Sequence, residues 1–217
     1  MDPLRSPDAP MNPGSPKSPQ PFWRRHPELL VRSWEPSELP REIRVQVLAF
    51  MRQAWPEGFV GVDQLRDWIH PEGDHPRHFV ALLPNGLVAA HASALWREWS
   101  LDGIGAPLKV GGLSGVFSFR HVRGLGAGLA VVEAATAWQE KQPLDAGLFN
   151  CDCSLEHFYG RCGWEPARAG VLSVGPSEAE MSPIDESTLV RSFSAAGERL
   201  RERLATGKPL WFGPYAW

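Results

Sequence analysis

The sequence has no excess of positive charge and no long apolar segment. Its 22 lysines and arginines are outnumbered by 25 aspartates and glutamates, which gives a formal net charge of -3 at pH 7. Nucleic-acid-binding proteins usually carry a basic excess that engages phosphates, so a nucleic-acid partner is disfavoured. No apolar run approaches the roughly 20 residues that span a bilayer, and the N-terminus lacks the layout of a signal peptide. We therefore predict a cytoplasmic protein with no membrane partner.

Cysteine is also scarce, with 3 residues in a chain of 217. Cys151, Cys153 and Cys162 are an odd number of closely spaced residues, which argues against a disulfide framework. A metal site that includes His157 is an alternative, but the spacing matches none of the usual zinc patterns. We expect ordinary reduced thiols and no bound metal.

Proline separates the N-terminal segment from the rest of the chain. Prolines recur between Pro3 and Pro21 among Ser, Asp and Asn, and such a segment lacks the apolar content that offsets its ordering entropy. We predict a disordered tail over residues 1–25, with docking in a polyproline II conformation as the alternative. A compact core over 26–176 and a C-terminal extension with an aromatic tail over 177–217 complete the predicted organisation.

The hydrophobic pattern of the core changes from helical to extended and back. The turn Asn85-Gly86 between two apolar runs predicts a β-hairpin, and the glycines inside the next strand indicate a bulge or a close backbone approach. Helices are predicted over 41–55, 62–69, 125–142, 154–161 (with Ser154 as N-cap) and 195–204, and strands over 30–34, 79–83, 87–96, 108–119, 144–150, 163–174 and 188–193. This order predicts a mixed α/β (α+β) fold with a mainly antiparallel sheet flanked by helices.

A glycine-rich turn follows the long strand, in the segment VFSFRHVRGLGAGL over residues 116–129. It fits the pattern Arg/Gln-x-x-Gly-x-Gly/Ala, in which free backbone N–H groups and the positive end of a helix dipole can bind a pyrophosphate. A plain helix-start turn is the alternative. The setting is not a series of βαβ units and no Gly-Lys-Ser/Thr follows, so dinucleotide-binding and Walker A loops are disfavoured.

A second motif, Phe158-Tyr159-Gly160-Arg161-Cys162-Gly163-Trp164, lies one strand and one short helix later. In this order the two motifs resemble motifs A and B of the GNAT superfamily of N-acetyltransferases, over residues 28–174. The resemblance implies a splayed central sheet and acetyl-CoA as cosubstrate. The coenzyme contacts that it implies are Val116, Phe117 and Ser118 beside the pantetheine, and Arg123, Gly124, Leu125, Gly126, Ala127 and Gly128 at the pyrophosphate. Arg120 stands where the superfamily usually has proline.

Within the superfamily, the sequence is most similar to the aminoglycoside 2'-N-acetyltransferases. The segment over 91–96, the glycine-rich approach to the motif A strand, the Tyr-x-x-x-Gly-Trp motif and the final Trp217 carry this resemblance. In that family acidic groups bind the cationic antibiotic, and Ser114 and Tyr215 stand here at two such positions. The resemblance implies that Ser114 and Trp217, with its carboxylate, line the acceptor site.

Direct transfer of an acetyl group needs a base for the ammonium proton and an acid for the leaving thiolate. The resemblance places Tyr159 near the coenzyme sulfur, so we predict it as the acid; a core aromatic role is the alternative. No single base stands out. Candidates are Glu57, Asp63, Asp67, His78, His91, His121 and Asp152, and a water relay through backbone carbonyls is another.

The predicted function is acetyl-CoA-dependent transfer of an acetyl group to a primary amine of a small molecule. Two alternatives remain open: an N-acyltransferase with a longer acyl donor, and a non-catalytic module that binds acyl-CoA. The chain has 10 tryptophans, and four of them lie at predicted strand ends or in the tail LWFGPYAW, with Phe212 and Tyr215: Trp96, Trp99, Trp211 and Trp217. These aromatic residues predict packing across the sheet, an acceptor pocket or a homodimer contact.

Overall fold

A computed structural model describes residues 29–101, 106–167 and 171–217, so the predicted tail over 1–25 lies outside the described residues. The strands are β1 (Leu30–Trp34), β2 (Arg77–Leu82), β3 (Val88–Trp99), β4 (Leu108–Ser118), β5 (Ala146–Cys151), β6 (Glu165–Pro166), β7 (Leu172–Val174), β8 (Ser182–Pro183), β9 (Ser187–Ser192) and β10 (Leu210–Gly213). The α-helices are α1 (Arg41–Ala54), α2 (Ala127–Gln139), α3 (Glu156–Gly160) and α4 (Ala195–Ala205). Short 3₁₀ turns occupy Pro56–Phe59, Gly61–Leu65, Glu72–Asp74, Arg120–Val122, Cys153–Leu155 and Glu178–Glu180.

The strands form a large mixed sheet and a small one. The large sheet has the order β1-β2-β3-β4-β5-β9-β6, and the small sheet has the order β10-β7-β8. Neighbours in the large sheet are antiparallel except for β4 and β5, which run parallel. The predicted mixed, mainly antiparallel α/β fold is therefore confirmed.

The two faces of the large sheet are covered by different helices. Along β2, Val80 packs with α1, whereas its neighbours Phe79 and Ala81 pack with α2. This assignment follows the period of two that places successive strand side chains on opposite faces. Both faces are covered, so β2 and β3 are buried along most of their length and most of their residues are apolar, as expected for a sheet between two layers of helices.

The only parallel pair of the large sheet stays together for a short distance. Val110 pairs with Ala146 and Gly111 pairs with Gly147, and the pairing of the two strands ends there. β4 continues to Ser118 and β5 to Cys151. The sheet is thus splayed between β4 and β5, and each strand leaves one backbone edge without a strand neighbour over this stretch.

The predicted first helix is confirmed and the second is wrong. α1 buries one face of apolar residues, as its three- and four-residue spacing predicts. The segment over 62–69 contains no α-helix; Val62 and Leu65 are 92% and 85% exposed on a 3₁₀ turn. Gly61 at the start of this turn has a φ of +56°, and so short a pattern does not hold a helix without an apolar surface to pack against.

Three further boundaries differ from the prediction. α2 begins at Ala127 because Gly126 adopts a left-handed conformation with a φ of +80°. The side chain that caps the turn before α3 is Asp152, which accepts from the backbone N–H of Ser154. The predicted strand over 163–174 is divided into β6 and β7, which belong to different sheets.

The C-terminal region adds strands to both sheets. β9, which we predicted within a C-terminal extension, lies inside the large sheet between β5 and β6. α4 follows it, with the Ser194 hydroxyl accepting from two N–H groups of its first turn. The aromatic tail then supplies β10, which pairs in parallel with β7.

Candidate active site

A cleft of about 470 Å³ opens beside β4 where its pairing with β5 ends. Residues 113–116 of β4 and 149–152 at the end of β5 supply two of its walls. Four of the predicted site residues line this one cleft: Ser114, Val116, Tyr159 and Trp217. The structure thus joins the motif A strand, motif B and the aromatic tail, which are far apart in the sequence.

The glycine turn, residues 123–128, follows the cleft-lining strand and leads into α2. Gly124 and Gly126 have φ values of +85° and +80°, so both adopt a conformation that favours glycine. The N–H groups of Gly124, Gly126, Ala127 and Gly128 have no hydrogen-bond acceptor within the described part of the chain. The turn therefore presents several unpaired donors at the N-terminus of a 13-residue helix, which suits a phosphate group.

The other predicted coenzyme residues occupy different surroundings. Phe117 turns its side chain toward α1, where it stacks on Phe50 with ring centroids 3.8 Å apart. Ser118 is half-buried beside Gly128, and Leu125 packs against the core. The exposed Arg123 donates from Nε to the Ser118 carbonyl at 3.4 Å. The ring of Phe117 therefore faces α1, and Phe117 is not among the residues that line the cleft.

Tyr159 is almost fully buried at the base of the cleft, with 5% of its surface exposed. Its ring makes edge contacts with Phe149 and Phe158, each at 4.9 Å between centroids. The hydroxyl has no partner among the residues that the structure describes. Burial raises the pKa of Tyr159 above its usual value, so the phenol stays protonated and can donate a hydrogen bond.

Trp217 enters the gap between β4 and β5. Its indole N–H donates to the carbonyl of Leu148 on β5 at 3.0 Å. A β-carbon at Gly112 on β4 would overlap this indole and would lie 2.6 Å from the same carbonyl oxygen. Glycine at position 112 therefore makes room for the tryptophan. Only the glycine-interrupted strand pattern pointed to this close approach, and it did not identify what approaches.

A group of side chains that sequence reasoning missed holds Trp217 in place; we call it the tail latch. The Arg97 guanidinium lies 3.8 Å from the Trp217 ring centroid and 4.7 Å from that of Tyr215. It also pairs with Asp74 at 3.4 Å, and the Tyr215 hydroxyl donates to the same carboxylate at 3.2 Å. These contacts join β3, a 3₁₀ turn and the tail, so no local pattern reveals them.

One wall of the cleft offers hydrogen-bond acceptors. The carboxylates of Asp152 and Glu186 line it, and Oδ1 of Asn150 is sealed from solvent without a partner in the described residues. Burial, together with Glu186 and other nearby carboxylates, raises the pKa of Cys151 in this wall to about 12. A negative potential at this position favours a cationic ligand group.

Among the described residues that line the cleft, Arg66 supplies the single guanidinium group. Arg66 stacks on the rings of Phe59 and Trp68, at 3.9 and 4.7 Å from their centroids. Its Nε is sealed from solvent and lacks a hydrogen-bond partner in the described chain. The cleft therefore holds charges of both signs, with the carboxylates in excess.

The structure separates the candidate bases. Asp152 lines the cleft, whereas Glu57, Asp63 and Asp67 are exposed outside it. His78 and His91 are buried behind Gly115, and the side chain of His121 lies outside the described part of the chain. Burial lowers the pKa of His78 to about 2 and that of His91 to about 4, so both are neutral at pH 7.

None of the helices within the described ranges is long and apolar enough to cross a membrane. Over the same residues, no group of three or more His, Cys, Asp or Glu side chains could hold a metal ion. Cys151 and Cys162 are buried free thiols and Cys153 is an exposed one.

Comparisons with known proteins identify the fold. No family model and no curated protein matches the sequence. A GNAT family N-acetyltransferase from Escherichia coli, solved in complex with CoA, is 17% identical with a TM-score of 0.53; the match covers 86% of this chain and 89% of that one. A GNAT family acetyltransferase from Staphylococcus aureus Mu50 is 14% identical, with a TM-score of 0.50 over 76% of this chain and 100% of the other.

A third match is to a longer protein. A probable N-acyltransferase from Enterococcus faecalis V583 is 17% identical with a TM-score of 0.50. The match covers 64% of this chain and 33% of that protein, so it extends over about a third of the longer chain. At these identities the comparisons establish architecture, and they show that the chain has the fold of the GNAT N-acetyltransferases.

Proposed function

We propose that the protein is an acetyl-CoA-dependent N-acetyltransferase that acetylates a primary amine of a small molecule. The observation that carries the proposal is the position of the glycine turn at the end of the cleft-lining strand β4. A phosphate-binding turn and a reaction cleft on one strand suit a long ligand that is anionic at one end and reactive at the other. The fold shared with GNAT acetyltransferases supports the same interpretation.

The residues present fit coenzyme A. The unpaired N–H groups of Gly124, Gly126, Ala127 and Gly128 would hold the pyrophosphate, and the exposed Arg123 would add positive charge. The β4 edge at Val116 and Ser118 has no strand neighbour and would pair with the amide groups of the pantetheine. When bound, the coenzyme supplies an activated thioester.

The acceptor side of the cleft supports an amine with an apolar body. Asp152 and Glu186 offer carboxylate oxygens to an ammonium group, while Trp217 offers an aromatic surface beside Ser114. The resemblance to aminoglycoside 2'-N-acetyltransferases makes aminoglycosides one class to test. Arg66 in the same cleft makes amino acids, which also carry a carboxylate, another class.

Tyr159 is the proposed acid. The neutral acceptor nitrogen attacks the thioester carbonyl and forms the carbon–nitrogen bond, the carbon–sulfur bond breaks, and the thiolate that leaves takes a proton from the phenol. The nitrogen loses its extra proton to water, and the phenolate regains a proton from solvent. Burial raises the pKa of Tyr159, and a thiolate that leaves in the same buried place is also destabilised by desolvation. The proton transfer is therefore less unfavourable than the usual pKa values of a phenol and a thiol in water suggest.

A first prediction tests the turn. Acetyl-CoA at 100 times its dissociation constant should stabilise the wild-type protein by about 2.7 kcal/mol, because it binds only the native state. Gly126→Asp places a carboxylate where the pyrophosphate would lie and should abolish this stabilisation. Gly86→Asp is the matched control, since Gly86 has a φ of +81° and, like Gly126, no described atom within 4 Å of an added β-carbon. Thermal unfolding with and without acetyl-CoA measures both.

The outcomes of that experiment are distinct. Loss of the shift in the Gly126 variant alone supports the pyrophosphate site. Equal shifts in both variants would place the coenzyme elsewhere. No stabilisation of the wild-type protein at high acetyl-CoA concentration would contradict the proposed function together with the acyl-CoA-binding alternative.

Thiol release from acetyl-CoA in the presence of an amine panel separates an enzyme from a binding module. The panel contains aminoglycosides, arylalkylamines and amino acids, each at several concentrations. Amine-dependent release supports the transferase, and binding without release with any amine favours the non-catalytic alternative. Repeating the assay with longer acyl-CoA donors measures the acyl specificity.

A second prediction concerns Tyr159. Tyr159→Phe removes only the hydroxyl, and kcat should fall by about 100-fold, a typical contribution of a positioned proton donor. The packing with Phe149 remains, so the dissociation constant of acetyl-CoA and the unfolding midpoint should stay unchanged. Steady-state kinetics and coenzyme titration measure the two effects. Full turnover in this variant would show that the phenol is not the acid.

A further inference from the structure

A β-bulge in the cleft wall leaves one backbone carbonyl without a strand partner. The register of β3 and β4 shifts between His91 and Ser93, so that Gly115 and Val116 on β4 both lie opposite Ala92. Gly115 has a φ of +55°, the left-handed conformation of a bulge glycine. The His91 side chain supplies the missing donor, because its Nδ1 lies 2.8 Å from the Gly115 carbonyl oxygen.

The hydrogen-bond partners of His91 and His78 determine which ring nitrogen carries the hydrogen in each imidazole. A carbonyl only accepts, so Nδ1 of His91 carries the hydrogen and its Nε2 is a bare acceptor in the neutral ring. Nδ1 of His78 lies 3.1 Å from that Nε2, and two bare nitrogens at this distance would repel each other. His78 is therefore also protonated on Nδ1. The Ser93 hydroxyl lies 3.1 Å from His78 Nδ1 and completes a fully buried group.

The same carbonyl determines where the next N–H points. The peptide between Gly115 and Val116 is trans, since the described residues contain no cis peptide, and a trans peptide directs its C=O and N–H to opposite sides. The Gly115 oxygen faces His91 on β3, so the Val116 N–H faces the other edge of β4. Further along, the N–H of Phe119 donates to the carbonyl of Ala89 on β3, and strand alternation gives the Val116 N–H the opposite direction.

That other edge is the wall of the cleft. β5 does not pair with β4 beyond Gly111, and both Gly115 and Val116 line the opening. The Val116 N–H is thus a donor held in the reaction cleft, at the strand on which the proposed function places the acyl group. A donor aimed at the carbonyl oxygen strengthens its hydrogen bond as negative charge develops there.

We propose that His91, supported by His78 and Ser93, is a positioning residue that keeps the Val116 N–H directed at the thioester carbonyl of the bound acyl-CoA. The proposal rests on the proposed function. Because glycine has no β-carbon, ψ of Gly115 is less restricted than that of other residues, so the 115–116 peptide can rotate away from this orientation. Such a rotation would turn the Val116 N–H away from the thioester oxygen. The His91 hydrogen bond to the Gly115 carbonyl opposes this rotation.

Two amide substitutions at His91 provide the test, because each places a polar group near one of the two ring nitrogens. His91→Asn retains an N–H near the position of Nδ1 and can still donate to Gly115, whereas His91→Gln places its amide near the position of Nε2 and cannot. His91→Gln should lower kcat by about 100-fold, the size expected for loss of one oriented donor, while the dissociation constant of acetyl-CoA stays unchanged. His91→Asn should retain most of the wild-type kcat. A purely structural role would affect both variants alike.

Two spectroscopic measurements test the proposal without an amine substrate. The ¹³C carbonyl resonance of bound [1-¹³C]acetyl-CoA should show the downfield shift of a hydrogen-bonded carbonyl in wild type and His91→Asn, and lose it in His91→Gln. Long-range ¹H–¹⁵N spectra of the wild-type protein should show His78 and His91 as Nδ1–H tautomers. The second measurement requires no variant to fold.

Each result decides the proposal. Equal activity in the Asn and Gln variants, an unchanged carbonyl shift in His91→Gln, or an Nε2–H tautomer of wild-type His91 would each overturn it. These outcomes leave the proposed function intact if amine-dependent thiol release persists. If acetyl-CoA instead fails to bind the wild-type protein, the proposed function fails, and this proposal fails with it even where the tautomers are as expected.

Discussion

Lowering the pH from 7.5 to 5 is expected to remove about 4 kcal/mol from the free energy of unfolding, through His78 and His91 alone. Burial lowers the pKa of these imidazoles to about 2 and about 4 in the folded protein. In the unfolded chain they titrate near 6.5, so between pH 6.5 and 4 the unfolded state binds more protons. The contribution of the two histidines to the free energy of unfolding is therefore fully present above about pH 6.5. It decreases as the pH falls, by about 2 kcal/mol per histidine at pH 5.

The expected loss is large compared with the roughly 5–15 kcal/mol by which native proteins are stable. Urea unfolding at pH 7.5 and 5.0 measures it. Burial also lowers the pKa of His70, to about 3, so three histidines contribute to the measured difference. His91→Asn removes one of them and should reduce their combined contribution by about a third. His157→Gln, at an exposed position on α3, is the control and should follow the wild-type curve. Equal stability of the wild-type protein at the two pH values would contradict the buried histidine group.

Gly112→Ala is expected to destabilise the protein by about 3 kcal/mol, the upper range for an overpacked site, and to impair acetyl transfer. The added β-carbon would overlap the Trp217 indole and lie 2.6 Å from the Leu148 carbonyl oxygen. The tryptophan can move away, but the backbone of β5 can move only by opening the β4–β5 pair at Gly111 and Gly147. The Trp217 side of the cleft would then lose its shape.

Urea unfolding and amine-dependent thiol release measure the two effects. Gly73→Ala is the matched control, because an added β-carbon there meets no described atom within 4 Å. Combining Gly112→Ala with Trp217→Ala should restore only part of the stability, since the contact with Leu148 remains. Full recovery in the double variant would show that the indole alone causes the clash, and no loss in Gly112→Ala would refute the close approach.

The parts of the fold and site that the sequence predicts are those encoded by neighbouring residues. The α1 pattern, the Asn85-Gly86 hairpin turn and the glycine turn each depend on residues within a few positions of one another. The predicted helix over 62–69 failed for the opposite reason. Its spacing was helical, but helix formation also needs a surface that buries the apolar face, and Val62 and Leu65 have none.

The parts that sequence reasoning missed are assembled from distant segments. His78, His91 and Gly115 meet only because β2, β3 and β4 are neighbours in register, so their individual side chains gave no sign of a common hydrogen-bond network. The tail latch joins Asp74 and Arg97 to Tyr215 in the same non-local way. Knowledge of the strand register would have revealed the histidines, whereas the latch required the path of the tail.

The route of the tail also implies that the glycine turn and the Trp217 wall of the cleft form at different stages of folding. The glycine turn is built from adjacent residues of β4 and α2 and can form together with them. The Trp217 wall requires contacts with Arg97 and Leu148, which are 120 and 69 positions away along the chain, and such contacts incur a large loop-closure entropy. The Trp217 wall is therefore the later part to assemble. The tail can also detach while the seven-stranded sheet remains intact, so this wall can unfold locally without global unfolding.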